Sequence, residues 1–105
     1  MSAQMIEPNS TIGILGGGQL GRMLAVAASE LGYRTHIFCP DKDSPAFDVA
    51  TEYTVAAYDD EEALKAFAGS VDVVTYEFEN IPHQSLSLME KAVAVNPPPD
   101  LLKIS

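Results

Sequence analysis

The chain has 105 residues, 47% of them apolar, and carries 6 Lys and Arg against 15 Asp and Glu for a formal net charge of −9. That length suits one domain with a modest single core, and the acidic balance excludes a general binder of nucleic acid or anionic membrane, which needs a basic face to displace counterions. A single cysteine, Cys39, excludes an internal disulfide and a zinc cluster and fits a reducing compartment.

The start, "MSAQMIEPNST", lacks the basic residues and apolar core of a signal peptide, and no apolar run reaches membrane-spanning length. A cytoplasmic domain is expected, with residues 1–10 as a flexible arm and 11–105 as the folded unit. "TIGILG" is a short apolar run rich in β-branched residues that stops at glycine, the pattern of a buried strand. From Gln19 the period changes, and Leu20, Met23, Leu24, Ala27 and Leu31 recur at helical spacing, predicting a core-facing stripe. Gly32 is placed to end that helix.

"RTHIFC" reads as a second strand stopped by Pro40, and "PDKDSPAFDVATEY" as a loop with room for one helical turn. "TEYTVAAY" holds a third, short strand. Asp59 and Glu62 have capping-box spacing ahead of a second helix that runs to about Gly69. "VDVVTYEFE" is the clearest strand, Pro82 to Lys91 a third helix, and "AVAV" a last strand halted by Asn96 and three prolines. Alternating strands and helices with near-continuous apolar strands predict an α/β fold, an open parallel sheet of Rossmann-like type with helices on both faces.

Gly16, Gly18 and Gly21 satisfy G-x-G-x-x-G between a predicted strand and a predicted helix, the setting of a dinucleotide fingerprint. The same glycines have a plainer reading as helix–strand packing. The second strand ends "FCPD", so Asp41 falls beyond the spot where an acidic residue would grip a ribose. Gln19 and Arg22 open the helix. Arg22 suits ligand contact and a surface ion pair with Asp41 or Glu30 equally well.

"VVTYEFENIP" places Glu77 and Glu79 two apart at the carboxyl end of a central strand, on one side of an extended chain. In a parallel sheet that end shares an edge with the glycine loop, where ligands bind. Two carboxylates there can accept hydrogen bonds from hydroxyls or an amine. Alternatively they are solvated or cap a helix. His36 and His83 have no second metal ligand at a workable spacing, Cys39 lacks a histidine partner for nucleophilic work, and no P-loop is present. One function left open is a stand-alone nucleotide- or NAD-sensing module without chemistry.

Together "GILGGGQLGRMLA", "LGY", "CPDKDSPA", "YDD" and "VDVVTYEFENIP" resemble the amino-terminal end of the N5-carboxyaminoimidazole ribonucleotide synthetases, also described as the ATPase subunit of phosphoribosylaminoimidazole carboxylase. These are ATP-grasp ligases of purine biosynthesis, and the resemblance runs from about Thr11 to the end of the chain. It implies a Rossmann-like preATP-grasp domain that does not bind NAD. It also implies a ligase that carboxylates 5-aminoimidazole ribonucleotide with ATP and bicarbonate through carboxyphosphate, with Mg2+ accompanying ATP. On this resemblance Gly16, Gly17, Gly18, Gln19 and Leu20 line the ribonucleotide pocket, while Glu77, with Glu79 beside it, orients the substrate. The ATP, Mg2+ and catalytic groups belong to later domains of the family, whose full-length members form homodimers. No catalytic residue is expected within these 105 residues.

Overall fold

The computed structural model describes residues 10–77 and 82–96. Strands β1 (Thr11–Leu15), β2 (Arg34–Cys39), β3 (Glu52–Val55), β4 (Val73–Tyr76) and β5 (Ala94–Val95) alternate with helices α1 (Gln19–Glu30), α2 (Glu61–Ser70) and α3 (His83–Glu90). A short 3-10 turn, Pro45–Asp48, lies between β2 and β3. All pairings are parallel, in the order β3-β2-β1-β4-β5. The α/β sheet expected from the alternating pattern is therefore present. Of the expected arm, residues 1–9 lie outside the described residues, and the Ser10 carbonyl already accepts from the Arg34 N–H at 2.9 Å.

Both faces of the sheet are covered. Ile12, Ile14, Ile37 and Val73 pack against Leu24, Ala25 and Ala28 of α1 and Ala46 of the 3-10 turn. On the other face Leu15, Phe38 and Val74 meet Leu64, Phe67 and Ala68 of α2 and Met89 of α3. A strand covered on two sides has no polar face, which is why β1, β2 and β4 read as almost unbroken apolar runs. Edge strand β3 is largely exposed, and its Tyr53 ring stacks on Phe47 with centroids 4.1 Å apart.

Helix α1 differs from its expected orientation. Its buried residues are Gly21, Leu24, Ala25 and Ala28, while Leu20, Met23 and Leu31 are exposed. The small side chains let the helix approach the sheet closely, and the larger ones lie on the flank. The end is as expected. Gly32 has a φ of +92°. The Gly32 N–H donates to the Ser29 carbonyl and the Tyr33 N–H to the Ala28 carbonyl, both at 3.0 Å, forming a Schellman motif.

The start of α2 also needs correction. Asp60, not Asp59, is the cap, and its carboxylate accepts the Ala63 N–H at 3.1 Å. The reason is the preceding turn, in which the Asp60 N–H donates to the Ala57 carbonyl and so fixes Asp60 as the last residue outside the helix. In α3 the buried positions are Ser85 and Met89, with Leu86 and Leu88 half-buried. Ser85 donates its hydroxyl proton to the Tyr58 carbonyl at 2.7 Å.

Candidate functional site

Strands β1 and β4 are neighbours, and the chain runs outward from β1 through β2 and β3 before returning to β4. Their carboxyl ends therefore flank the point where strand order reverses, the crevice in which open α/β sheets hold ligands. The glycine loop leaves β1 here, and Glu77 follows β4.

Two backbone bonds shape the loop. The Gly16 N–H donates to the Phe38 carbonyl at 2.9 Å, and the Glu77 N–H donates to the Leu15 carbonyl at 3.1 Å. Gly16 then turns with a φ of +116°, a region that residues with a side chain rarely adopt. The space a Cβ would need there is filled by the Glu77 side chain. Gly17 lies against Ser44, and Gly18 precedes the first helical residue, Gln19.

The Glu77 carboxylate bridges this turn. Its Oε2 accepts the Gly18 N–H at 2.7 Å and its Oε1 accepts the Gly21 N–H at 3.0 Å. No residue local to α1 caps the helix, so Glu77 supplies the negative charge and the acceptors that its amino end requires. An ionised carboxylate offers about four lone-pair positions. Two are engaged here, and the half-buried group retains acceptor capacity.

A second brace holds the loop from outside. The Ala46 N–H donates to the Gly17 carbonyl at 3.1 Å. Ser44 donates its hydroxyl proton to the Asp41 carbonyl at 2.7 Å, and the buried Cys39 Sγ lies 2.8 Å from Ser44 Oγ. The Asp41 carboxylate accepts the Asp43 N–H at 3.1 Å, turning back on its own loop. Ser44 is not among the residues that the sequence singles out, and Cys39 stands out there only as a lone cysteine without a histidine partner. The signal available was serine before proline at the start of a helical turn.

Of the expected site residues, Gly16, Gly17, Gly18 and Glu77 come together. Gln19 and Leu20 are exposed in the first turn of α1, beside the loop. Glu79 lies outside the described residues. Arg22 is exposed, and its N–H closes the first turn onto the Gly18 carbonyl at 2.9 Å. Thr75, two residues before Glu77 and so on the same side of β4, is fully buried with no partner for its hydroxyl among the described residues. Tyr58 was also missed. Its hydroxyl is pushed up to about 12, first by burial and then by Cys39 and Glu77.

Among the described residues no group of three His, Cys, Asp or Glu is placed to hold a metal, and no helix is long and apolar enough to cross a membrane. A polar cleft of about 130 Å³ opens at the opposite edge of the sheet, between Arg34, His36, Thr51 and Ser70. Typical ligand pockets are roughly 300–1,000 Å³, so the cleft is small for a nucleotide.

A parallel sheet that reverses order at β1 and β4, with a glycine turn and a carboxylate at the reversal, defines a Rossmann-like domain. The chain belongs to the ribonucleotide synthetase preATP-grasp domain family, whose model covers residues 9–105. A bifunctional purine synthesis protein of Dictyostelium discoideum is 56% identical over 102 residues, 97% of this chain and 10% of that protein. An N5-carboxyaminoimidazole ribonucleotide synthase of Brucella melitensis is 50% identical over 105 residues, the whole of this chain and 29% of the relative. The crystal structure of N5-carboxyaminoimidazole synthase from Aspergillus clavatus, in complex with ADP and 5-aminoimidazole ribonucleotide, superposes with a TM-score of 0.75 at 30% identity. That match covers 90% of this chain and 26% of the solved one. The chain thus spans under a third of the relatives it resembles.

Proposed function

We propose that this domain forms one wall of the ribonucleotide site in a ligase that carboxylates 5-aminoimidazole ribonucleotide, with ATP and bicarbonate, to N5-carboxyaminoimidazole ribonucleotide. The observation that carries the reading is the Glu77 carboxylate, fixed across the glycine loop at the strand reversal, in a chain of this family. Gly16, Gly17, Gly18, Gln19 and Leu20 line the pocket. Glu77 is held by two N–H donors before any ligand arrives, so it meets the substrate preorganised, and its free lone pairs accept from hydroxyl or amine groups. Glu79, two residues further along the sequence, is proposed to assist Glu77.

Glu77 is held by two N–H donors, which suits it to a positioning role rather than a metal ligand's. ATP, Mg2+ and the groups that act on carboxyphosphate are assigned, as the family resemblance implies, to the parts of the ligase that the relatives carry beyond this domain. The complete enzyme is assigned to the cytoplasm as a homodimer. The NAD-sensing reading is the weaker one, because the Asp41 carboxylate turns back on its own loop rather than toward a ribose.

Glu77→Gln in the ligase that carries this domain tests the proposal. The expected result is a raised KM for the ribonucleotide with a much smaller change for ATP, and an unchanged ribonucleotide constant would refute the role. Titrating the chain with NADH provides the contrast, since saturable binding would favour the sensor.

A further inference from the structure

The geometry points to Glu77 as a built-in counter-anion that closes the amino end of α1 to phosphate and so sets which ligand groups the glycine loop accepts. The argument starts from the donors. In a glycine fingerprint of this spacing, the free N–H groups of the turn and first helical residues, aided by the helix dipole, hold a pyrophosphate. Here the Gly18 and Gly21 N–H groups donate to Oε2 and Oε1 of one carboxylate, at 2.7 and 3.0 Å. The ligand's place is taken by a side chain of the same protein.

Space and charge agree with this assignment. The Glu77 side chain fills the volume beside Gly16 that its positive φ and missing Cβ leave open. A Cβ on Gly18 would also lie 3.1 Å from Oε1. An incoming phosphate would meet a fixed negative charge and two N–H groups already engaged. A donor group, such as a sugar hydroxyl or an amine, meets free carboxylate lone pairs instead. The loop therefore keeps the glycine pattern of a phosphate cradle while selecting against phosphate. The fingerprint would mislead a reader about its ligand, and Glu77 is the residue responsible.

This inference rests on the same site as the function proposed above but not on which ligand fills it, and its test uses no ribonucleotide. The probe is inorganic phosphate against sodium chloride at matched ionic strength. The readouts are the backbone amide resonances of Gly18 and Gly21 and the melting temperature. Wild-type chain should show no saturable phosphate shift at either amide. Glu77→Ala should gain one and melt higher in phosphate than in chloride. Glu77→Gln keeps the shape and loses the charge, and its response should fall between the two. An equal response in all three proteins, or a response in none, overturns the inference. If the alanine variant does not fold in chloride, phosphate should restore it. Failure of that rescue, with a glutamine variant that folds and ignores phosphate, overturns the inference equally.

Discussion

A Cβ added to Gly21 would lie 2.5 Å from the carbonyl oxygen of Gly16, so the end of β1 and the first turn of α1 meet through backbone alone. This contact reverses the usual consequence of glycine in a helix. Gly21→Ala should destabilise the chain by about 1–3 kcal/mol, as overpacking does. Gly69 in α2 faces open space, and Gly69→Ala should stabilise by about 0.5–1 kcal/mol. Urea midpoints of the two variants, moving in opposite directions, check the contrast.

Asp60 carries the cap of α2 and Asp59 does not. Asp60→Ala should cost about 1 kcal/mol, the usual loss when a capping carboxylate is removed. Asp59→Ala should leave the thermal midpoint essentially where it was. A loss confined to Asp59→Ala would mean that the helix starts one residue earlier.

The buried Thr75 hydroxyl has no hydrogen-bond partner among the described residues. Replacing a desolvated, unpaired hydroxyl by a methyl of similar shape removes a penalty of roughly 1–3 kcal/mol. Thr75→Val is expected to raise stability by about 1 kcal/mol, toward the low end of that range. A loss of stability would show that the hydroxyl is hydrogen-bonded in solution.

His36 makes stability depend on pH. Ser70 donates its hydroxyl proton to the Phe67 carbonyl at 2.8 Å, so toward His36 Nδ1, 3.3 Å away, it can only accept. Nδ1 therefore carries the ring proton, and Nε2 accepts from the Thr54 hydroxyl at 2.7 Å. Burial lowers the pKa of His36 from 6.5, against a smaller opposing effect of Glu52. The unfolded chain then binds a proton before the folded one does, so stability is full above 6.5 and declines as pH falls below that value. His36→Gln, which cannot titrate, should lose that part of the slope in a series of urea midpoints.

The fold was readable because its signals are local and repeated. The runs around Ile14, Ile37 and Val74 carry no polar alternation, and Gly32 marks the end of α1 in the expected way. The α1 stripe was misread because hydrophobicity ranks Leu20 and Met23 above Gly21 and Ala25, whereas close packing on a sheet favours the small residues. The capping box failed for another reason. The pattern favours Asp59, which has Glu62 three residues on where Asp60 has Ala63, and only the turn closed on Ala57 makes Asp60 the cap. At the site, sequence position put Glu77 at the correct edge, but its bonds to Gly18 and Gly21 join segments 59 and 56 residues apart and have no local trace. Ser44 leaves only the faint signal of a serine before Pro45, and a threonine within an apolar strand, as Thr75 is, gives no sign that its hydroxyl lacks a partner.

The cap that reaches α1 from beyond β4 also couples two parts of the chain in time. A helix capped by its own neighbours can fray and reclose alone, whereas α1 has no local cap and its amino end is complete only when β4 is in place. Opening of the first turn of α1 and separation of β4 from β1 thus become one cooperative event. Hydrogen exchange at Gly21 should report the same free energy as exchange in the central strands rather than the lower value typical of a helix end.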